Sequence, residues 1–318
     1  MVPASRPARP FAEALRARPL LFEPVPPTAR SSAARASTLT EEVIRRLSAV
    51  PRLDAVDVPE LVDENHDGRP YYRSGDYRSF ARTVGERVGV EVVVNKVVAH
   101  LPSSTALEAW TRETVTLGIR HLVLVGGSSR YIPYPGPTVS EANRVCRPLL
   151  AAAGGELGNI AIPQRTGEAH RMLAKTRAGA AFFTTQILFD SELLLRMLRE
   201  YDILCRQAGI APASVLVSMA PLADEGDLEF VRWLGADVTE AAERAILNGD
   251  EGGAGARSIR HALRTWEEVR TGAEQDRMEV PLGVNVEQIS QRHLATATEM
   301  LEAFARELGP VSVGPEAT

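Results

Sequence analysis

The order of segments in this chain predicts an α/β fold, a (β/α)8 TIM barrel in a single domain. Three observations carry that expectation. Short apolar runs alternate with helix-like segments from one end to the other, and such alternation implies parallel strands joined by right-handed crossovers. Eight units of this kind over roughly 290 residues suit a closed barrel better than an open doubly wound sheet. No Gly-x-Gly-x-x-Gly follows any apolar run, so the open sheet lacks its dinucleotide-binding mark.

The first strand is the run Leu20, Leu21, Phe22 and Glu23. Pro24, Pro26 and Pro27 stop it, because proline cannot donate to a sheet ladder. Glu23 is thereby delivered to a strand's C-terminal end, among apolar neighbours able to tune its pKa. A helix follows over about 37–50, with Thr38 or Thr40 as the expected cap, Glu41 and Glu42 in the first turn, and Pro51 closing it. The second strand covers 53–58. Residues 63–70 form a polar loop, and a helix runs over about 76–88. The β-branched run 90–98, interrupted only at Glu91, Asn95 and Lys96, reads as a strand buried on both faces.

The alternation continues with a helix over about 106–117, ended by Gly118 as a left-handed cap. Strands at 121–125, 159–162, 180–185, 215–219 and 280–286 are each followed by helical segments. Those segments lie at 140–152, about 167–177, 191–208, then 227–234 with 239–247 and 258–269, and finally 290–308. The stretch 250–255 is a glycine-rich acidic loop. The expected domain is 19–310, flanked by a loosely ordered tail over 1–18 and a short tail over 311–318.

Composition fits one large globular domain: 318 residues, 44% hydrophobic, 24% charged, formal net charge −5. The mildly acidic balance leaves no footprint for nucleic acid or an anionic membrane. No apolar run approaches the ~20 residues that span a bilayer, and the Arg-, Pro- and Ala-rich start lacks the apolar core of a secretory signal. Cys146 and Cys205 read as free buried thiols. These features describe a cytoplasmic protein, a monomer or small homo-oligomer, acting on a small molecule.

In a barrel of this kind the working face is the C-terminal end of the strands. The polar residues placed there are Glu23; Glu60, Asp63 and Glu64; His100; Ser128 and Ser129; Gln164 and Arg165; Gln186 and Asp190; Asp224 and Glu225; and Asn285 and Glu287. No His-Glu-x-x-His, Cys pair or His-x-His occurs, so no metal is expected. Gly126, Gly127, Ser128 and Ser129 form a strand-to-loop junction able to cradle a phosphate or let a flat ring approach the backbone. A mouth of carboxylates, amides and hydroxyls suits acid/base chemistry or a heterocycle rich in donors and acceptors.

Three stretches resemble the methylenetetrahydrofolate reductases. Phe22-Glu23-Pro24-Val25-Pro26-Pro27 resembles that family's Phe-Glu-x-x-Pro-Pro opening. Residues 118–124 are similar to its fourth strand and lead-in. The third and most specific, Ala178-Gly179-Ala180 through Thr185-Gln186-Ile187-Leu188-Phe189-Asp190, resembles its Ala-Gly-Ala…Thr-Gln-x-x-Phe-Asp signature. The similarity spans about 20–308. It implies that Glu23 is the general acid, protonating N10 of the folate as the imidazolidine ring opens to an iminium that accepts hydride. It implies that Gln186 bonds the pterin.

The family's flavin contacts are absent: Gly126 stands where the phosphate-binding arginine is expected and Ile162 where the stacking tyrosine is expected. The Ile-Pro-x-Arg-x-Gly-Glu pattern at 162–168 resembles the flavin-independent branch, which passes hydride directly from NADH to the folate. Ser128 replaces the aspartate that anchors the pterin, a role Glu64, with Asp63 or Glu60, would take over. Asn285 and Glu287 line the remaining wall; Gly126, Gly127, Gln164 and Arg165 face NADH (or NADPH). Alternative readings are an FAD-dependent reductase with rebuilt flavin contacts, a folate- or pterin-binding one-carbon-transfer or accessory protein without reductase activity, and an enzyme acting on another small molecule.

Overall fold

A computed structural model describes residues 9–129, 131–249 and 252–310. It begins with a one-turn helix α1 (Phe11–Ala14), then β1 (Leu20–Glu23), α2 (Ala33–Leu47), β2 (Ala55–Val58) and a hairpin of β3 (Val62–Glu64) and β4 (Pro70–Tyr72). Next come α3 (Tyr77–Val88), β5 (Glu91–Val97), α4 (Ser104–Thr116), β6 (His121–Val125), α5 (Val139–Ala152), β7 (Leu157–Ala161), α6 (Glu168–Arg177) and β8 (Phe182–Thr185). The chain closes with α7 (Glu192–Ala208), β9 (Ser214–Met219), α8 (Glu225–Trp233), α9 (Glu240–Leu247), α10 (Ala254–Gln275), β10 (Leu282–Glu287), a 3-10 turn and α11 (Leu294–Glu307). Strands β1, β2 and β5 to β10 close into a parallel barrel in which β1 pairs with β10 on one side and β2 on the other. This is the (β/α)8 barrel expected from the alternation.

The barrel strands are buried on both faces, which is why their sequence runs are apolar without alternation. The outward-facing set, including Leu20, Phe22, Val56, Val58, Val94, Val284 and Val286, packs on the helices. The inward-facing set includes Leu21, Ala55, Val93, Val123, Phe182 and Leu216. Side chains two positions further along a strand point the same way. The interior parity of these residues therefore carries Glu23, Asp57, Asn95, Gln186 and Ser218 to the C-terminal mouth.

Several expectations are corrected. The stretch 1–18 is not wholly a loose tail: Phe11, Ala14 and Leu15 are buried beneath the barrel. The Phe11 ring lies 4.7 Å from His121 and meets Phe182 edge-on at 5.3 Å, while Ser214 Oγ donates to the Leu15 carbonyl at 2.8 Å. Residues 1–8 and the tail 311–318 lie outside the described residues. Helix α2 starts earlier than expected because Ser32, not Thr38 or Thr40, caps it. Those two hydroxyls instead donate to carbonyls one turn back, Ala34 and Ala36. The supposed polar loop at 63–70 belongs mostly to the antiparallel β3–β4 hairpin, with Asn65 Oδ1 accepting from the Asp67 and Arg69 amides at its turn. In the acidic loop at 250–255, Asp250 and Glu251 fall outside the described residues, and α10 already begins at Ala254. Cys146 and Cys205 are free and buried, as expected.

Candidate active site

The floor of the mouth is built by three adjacent strands, β2, β1 and β10. Glu23 pairs in register with Glu287. The β1–β2 register, Leu21 with Ala55 and Phe22 with Val56, brings Asp57 level with Glu23 on the other side. Asp57 is fully enclosed, while Glu23 and Glu287 are surrounded by protein yet keep an edge toward solvent. Asn285 Nδ2 donates to Glu23 Oε2 at 3.1 Å and to Ser218 Oγ at 3.3 Å. Both oxygens of Asp57 and the side-chain oxygens of Asn95 and Asn285 are buried without a hydrogen-bond partner.

The electrostatics follow from this crowding. Burial, then repulsion from Glu287 and Asp57, pushes the Glu23 carboxyl well above the ordinary range, against the opposing bond from Asn285. Burial and then the Glu287 charge raise Asp57 to about 8. Burial raises Glu287 to about 7, opposed by a hydrogen bond from Ser218. Such a group holds protons near neutral pH and can act as an acid.

A second cluster forms beside it. The hairpin carries Glu64 over the β6 loop, where Oε1 meets His100 Nε2 at 2.8 Å and Oε2 accepts from Ser128 Oγ at 2.6 Å and Tyr134 Oη at 2.5 Å. Burial alone would raise Glu64, but these bonds outweigh it and hold the carboxyl below its usual range. The structure thus joins Glu64 and Ser128 directly. It also occupies both Glu64 oxygens with the protein's own donors. Asp63, its neighbour, departs to the outer side of the hairpin and pairs with Arg73 at 3.0 Å. Glu60 accepts from Lys96 Nζ at 2.5 Å and from the Val97 amide.

Gly126, Gly127, Ser128 and Arg165 line one cleft of about 610 Å³, together with Tyr134 and Arg171. A Cβ on Gly127 would fall 2.2 Å from the Tyr134 ring, so a flat ring does approach this backbone, but it is the chain's own. Arg165 and Arg171 stand 3.9 and 3.5 Å from buried Glu168, whose other oxygen is 3.3 Å from Lys175 Nζ. Three cations around one carboxylate leave this wall positive. Gln164 is not in that cleft: it lines a neighbouring pocket of about 230 Å³ that shares Arg165, with its Oε1 unpartnered.

Gln186 reaches the mouth from β8, where its Nε2 donates to the Leu234 carbonyl at 2.9 Å and its Oε1 accepts from the Ile187 amide. Asp190 Oδ1 accepts from the Glu192 amide, and Asp224 caps α8. One group with metal-ligand chemistry, Asp224, Asp227 and His293, occurs among the described residues although none was expected. Its members are engaged locally, Asp227 with the Ala223 amide at 2.7 Å and His293 with Ser290 at 2.7 Å.

No family model matches the chain, and no curated protein does. Among solved structures it is similar to an uncharacterized protein from Clostridium thermocellum described as binding two copies of 5-methyl-5,6,7,8-tetrahydrofolic acid. That likeness has a TM-score of 0.74 at 14% identity over 94% of this chain and 100% of the other. The fold is shared. A slighter likeness, TM-score 0.44 at 10% identity over 92% and 98% of the chains, is to an apo deoxyribose-phosphate aldolase candidate from Toxoplasma gondii ME49.

Sequence reasoning missed Asp57, Ser218 and Asn95. Asp57 did leave a signal: a carboxylate inside the run Ala55-Val56-Asp57-Val58, two positions from an inward-facing alanine. Charge in a doubly buried strand is costly unless used.

Proposed function

We propose that this protein reduces a methylene-bridged reduced folate by direct hydride transfer from a nicotinamide dinucleotide, without flavin. The observation that carries the reading is Glu23, recessed at the barrel mouth between Glu287 and Asp57, where burial and those two neighbours push its carboxyl well above the ordinary range. Protonation of N10 by Glu23 breaks its bond to the bridging carbon. The resulting iminium takes the hydride, and the product is the 5-methyl folate.

The folate ligand of the Clostridium thermocellum neighbour supports the substrate class. The positive wall of Arg165 and Arg171, beside Gly126, Gly127 and Ser128, fits the phosphates of a dinucleotide co-substrate. Flavin fits poorly: the glycine ledge that would admit its ring is covered by Tyr134, and neither the expected arginine nor the expected tyrosine is present. Gln186 meets the pterin edge by exchanging the Leu234 carbonyl for the ring, and Asn285 and Glu287 close the wall behind Glu23.

A second reading, a folate binder without reductase activity, is favoured by one observation. Glu64 and Gln186 already have their polar atoms satisfied within the chain. The test is NADH oxidation by the purified protein with methylenetetrahydrofolate and no added flavin, with folate binding measured in parallel. Turnover supports the reductase. Binding without turnover supports the second reading, and absence of both removes the folate class.

A further inference from the structure

We infer that Glu23, Asp57 and Glu287 form one proton-sharing carboxyl unit, in which Asp57 and Glu287 are positioning residues that keep Glu23 loaded with the proton it donates. The inference rests on the proposed reduction for its chemical use, but not for its geometry. Neighbouring parallel strands lie about 4.8 Å apart, so side chains at one level on three successive strands are forced into a row. Register places these three carboxyls at one level across β2, β1 and β10.

Among the described residues, no cation offsets them. The groups acting on Glu23 are Glu287 and Asp57, with the Asn285 amide from β10. Those acting on Asp57 reduce to Glu287, and on Glu287 to the Ser218 hydroxyl from β9. Among the described residues, the groups that shift the three include no Lys, Arg or His. Like charges this close and this poorly solvated cannot all ionise, and the protons come off the set in coupled steps.

The hydrogen-bond inventory says the same thing independently. Both Asp57 oxygens and Asn285 Oδ1 are buried acceptors without donors. The donors beside them are spent elsewhere, Asn285 Nδ2 on Glu23 and Ser218 and the Ser218 hydroxyl on Glu287. Buried acceptors need donors. Protons retained on the carboxyls are the donors left for Asp57.

In the reaction, the proton leaves Glu23 for N10, the electrons of the cleaved carbon–nitrogen bond stay on N10, and the hydride reduces the iminium carbon. Glu23 is then a carboxylate beside two neighbours that disfavour its charge. It recovers a proton from Glu287 or Asp57, and the set takes one proton from water per turnover.

The test is infrared spectroscopy of carboxyl C=O bands in the intact protein, titrated from about pH 6 to pH 9, on the wild type and on E287Q and D57N. The expected result is protonated carboxyl at pH 7 in the wild type. Each variant should move the remaining acid midpoint down by about one pH unit, a tenfold change in proton affinity. The alkaline limb of the kcat profile should move by the same amount while KM stays within about twofold. A merely structural role would leave both midpoint and limb in place. Midpoints unchanged in both variants, or carboxyls fully ionised at pH 7 in the wild type, would overturn the inference. Shifted infrared midpoints without folate turnover support the shared-proton unit and sink the reductase reading; turnover with unshifted midpoints does the reverse.

Discussion

Glu23 is distinguished from the chain's other carboxyls by its surroundings rather than its sequence. Glu91, paired with His121 and Arg120, is held below the ordinary range, and Glu64 likewise by Ser128, Tyr134 and His100. Glu23 has a single amide donor and two acidic neighbours, and is raised. Glu23→Gln keeps the volume and the Asn285 contact but removes the proton, so kcat for the proposed folate reduction should fall by about 10²–10⁴-fold. Steady-state kinetics beside an unchanged circular dichroism spectrum checks this; near-normal kcat would remove Glu23 from the mechanism. The opening strand marked Glu23 because prolines fix where it ends. Asp57 escaped because its meaning depends on β1 lying beside β2, a pairing between residues far apart in the chain. Glu64 was placed with Ser128 through the family resemblance. That its oxygens are consumed by His100 and Tyr134 depends on how the hairpin folds back.

At the scale of elements, the strands were legible because burial on both faces leaves uninterrupted apolar runs. Their ends were legible where Pro or Gly punctuates them: Gly118 does adopt a left-handed conformation, with φ of 86°. Two elements were not legible. The β3–β4 hairpin is short and polar, held by Glu64 and Asn65 rather than by an apolar face. Helix α1 is one turn in an Arg- and Pro-rich stretch, and its burial depends on a hole at the barrel's other end. Phe11→Ala should leave that hole open and destabilise the protein by about 3 kcal/mol, read from denaturant midpoints. Glu64→Ala should strip three donors of their shared acceptor, costing about 1–3 kcal/mol. Amide exchange should then accelerate over the β6 loop more than over β1 or β10; uniform protection would show that the hairpin does not hold that loop.

For the whole molecule, the three raised carboxyls make stability fall with alkalinity. An acid whose folded pKa exceeds its unfolded one binds more protons folded than unfolded between the two values. Stability therefore drops as pH rises from about 4 toward the folded values near 7 and 8, at roughly 1.4 kcal/mol per pH unit for each proton. Glu64 and Glu91 work oppositely: their contribution is present above the ordinary carboxylate range and lost on acidification. The stability maximum should sit on the acidic side of neutral, and E287Q and D57N should each flatten the alkaline decline. Denaturant unfolding as a function of pH measures both. A maximum at pH 8 or above would show that the carboxyl row is not strained.

The Tyr134 ring seated on Gly127 has a consequence for selectivity. A tethered group occupies its own site at an effective concentration in the millimolar range or above, so an incoming planar ligand must outcompete an occupant that never diffuses away. The Tyr134 hydroxyl is also tied to Glu64 and Ser128, so displacing the ring costs hydrogen bonds as well as contact. The chain thus carries a built-in competitive inhibitor of ring stacking on that ledge. Removing it, as in Tyr134→Ala, should raise affinity for free flavin about tenfold or more in a fluorescence titration. The same substitution then asks what that ledge admits once its own tethered ring is gone.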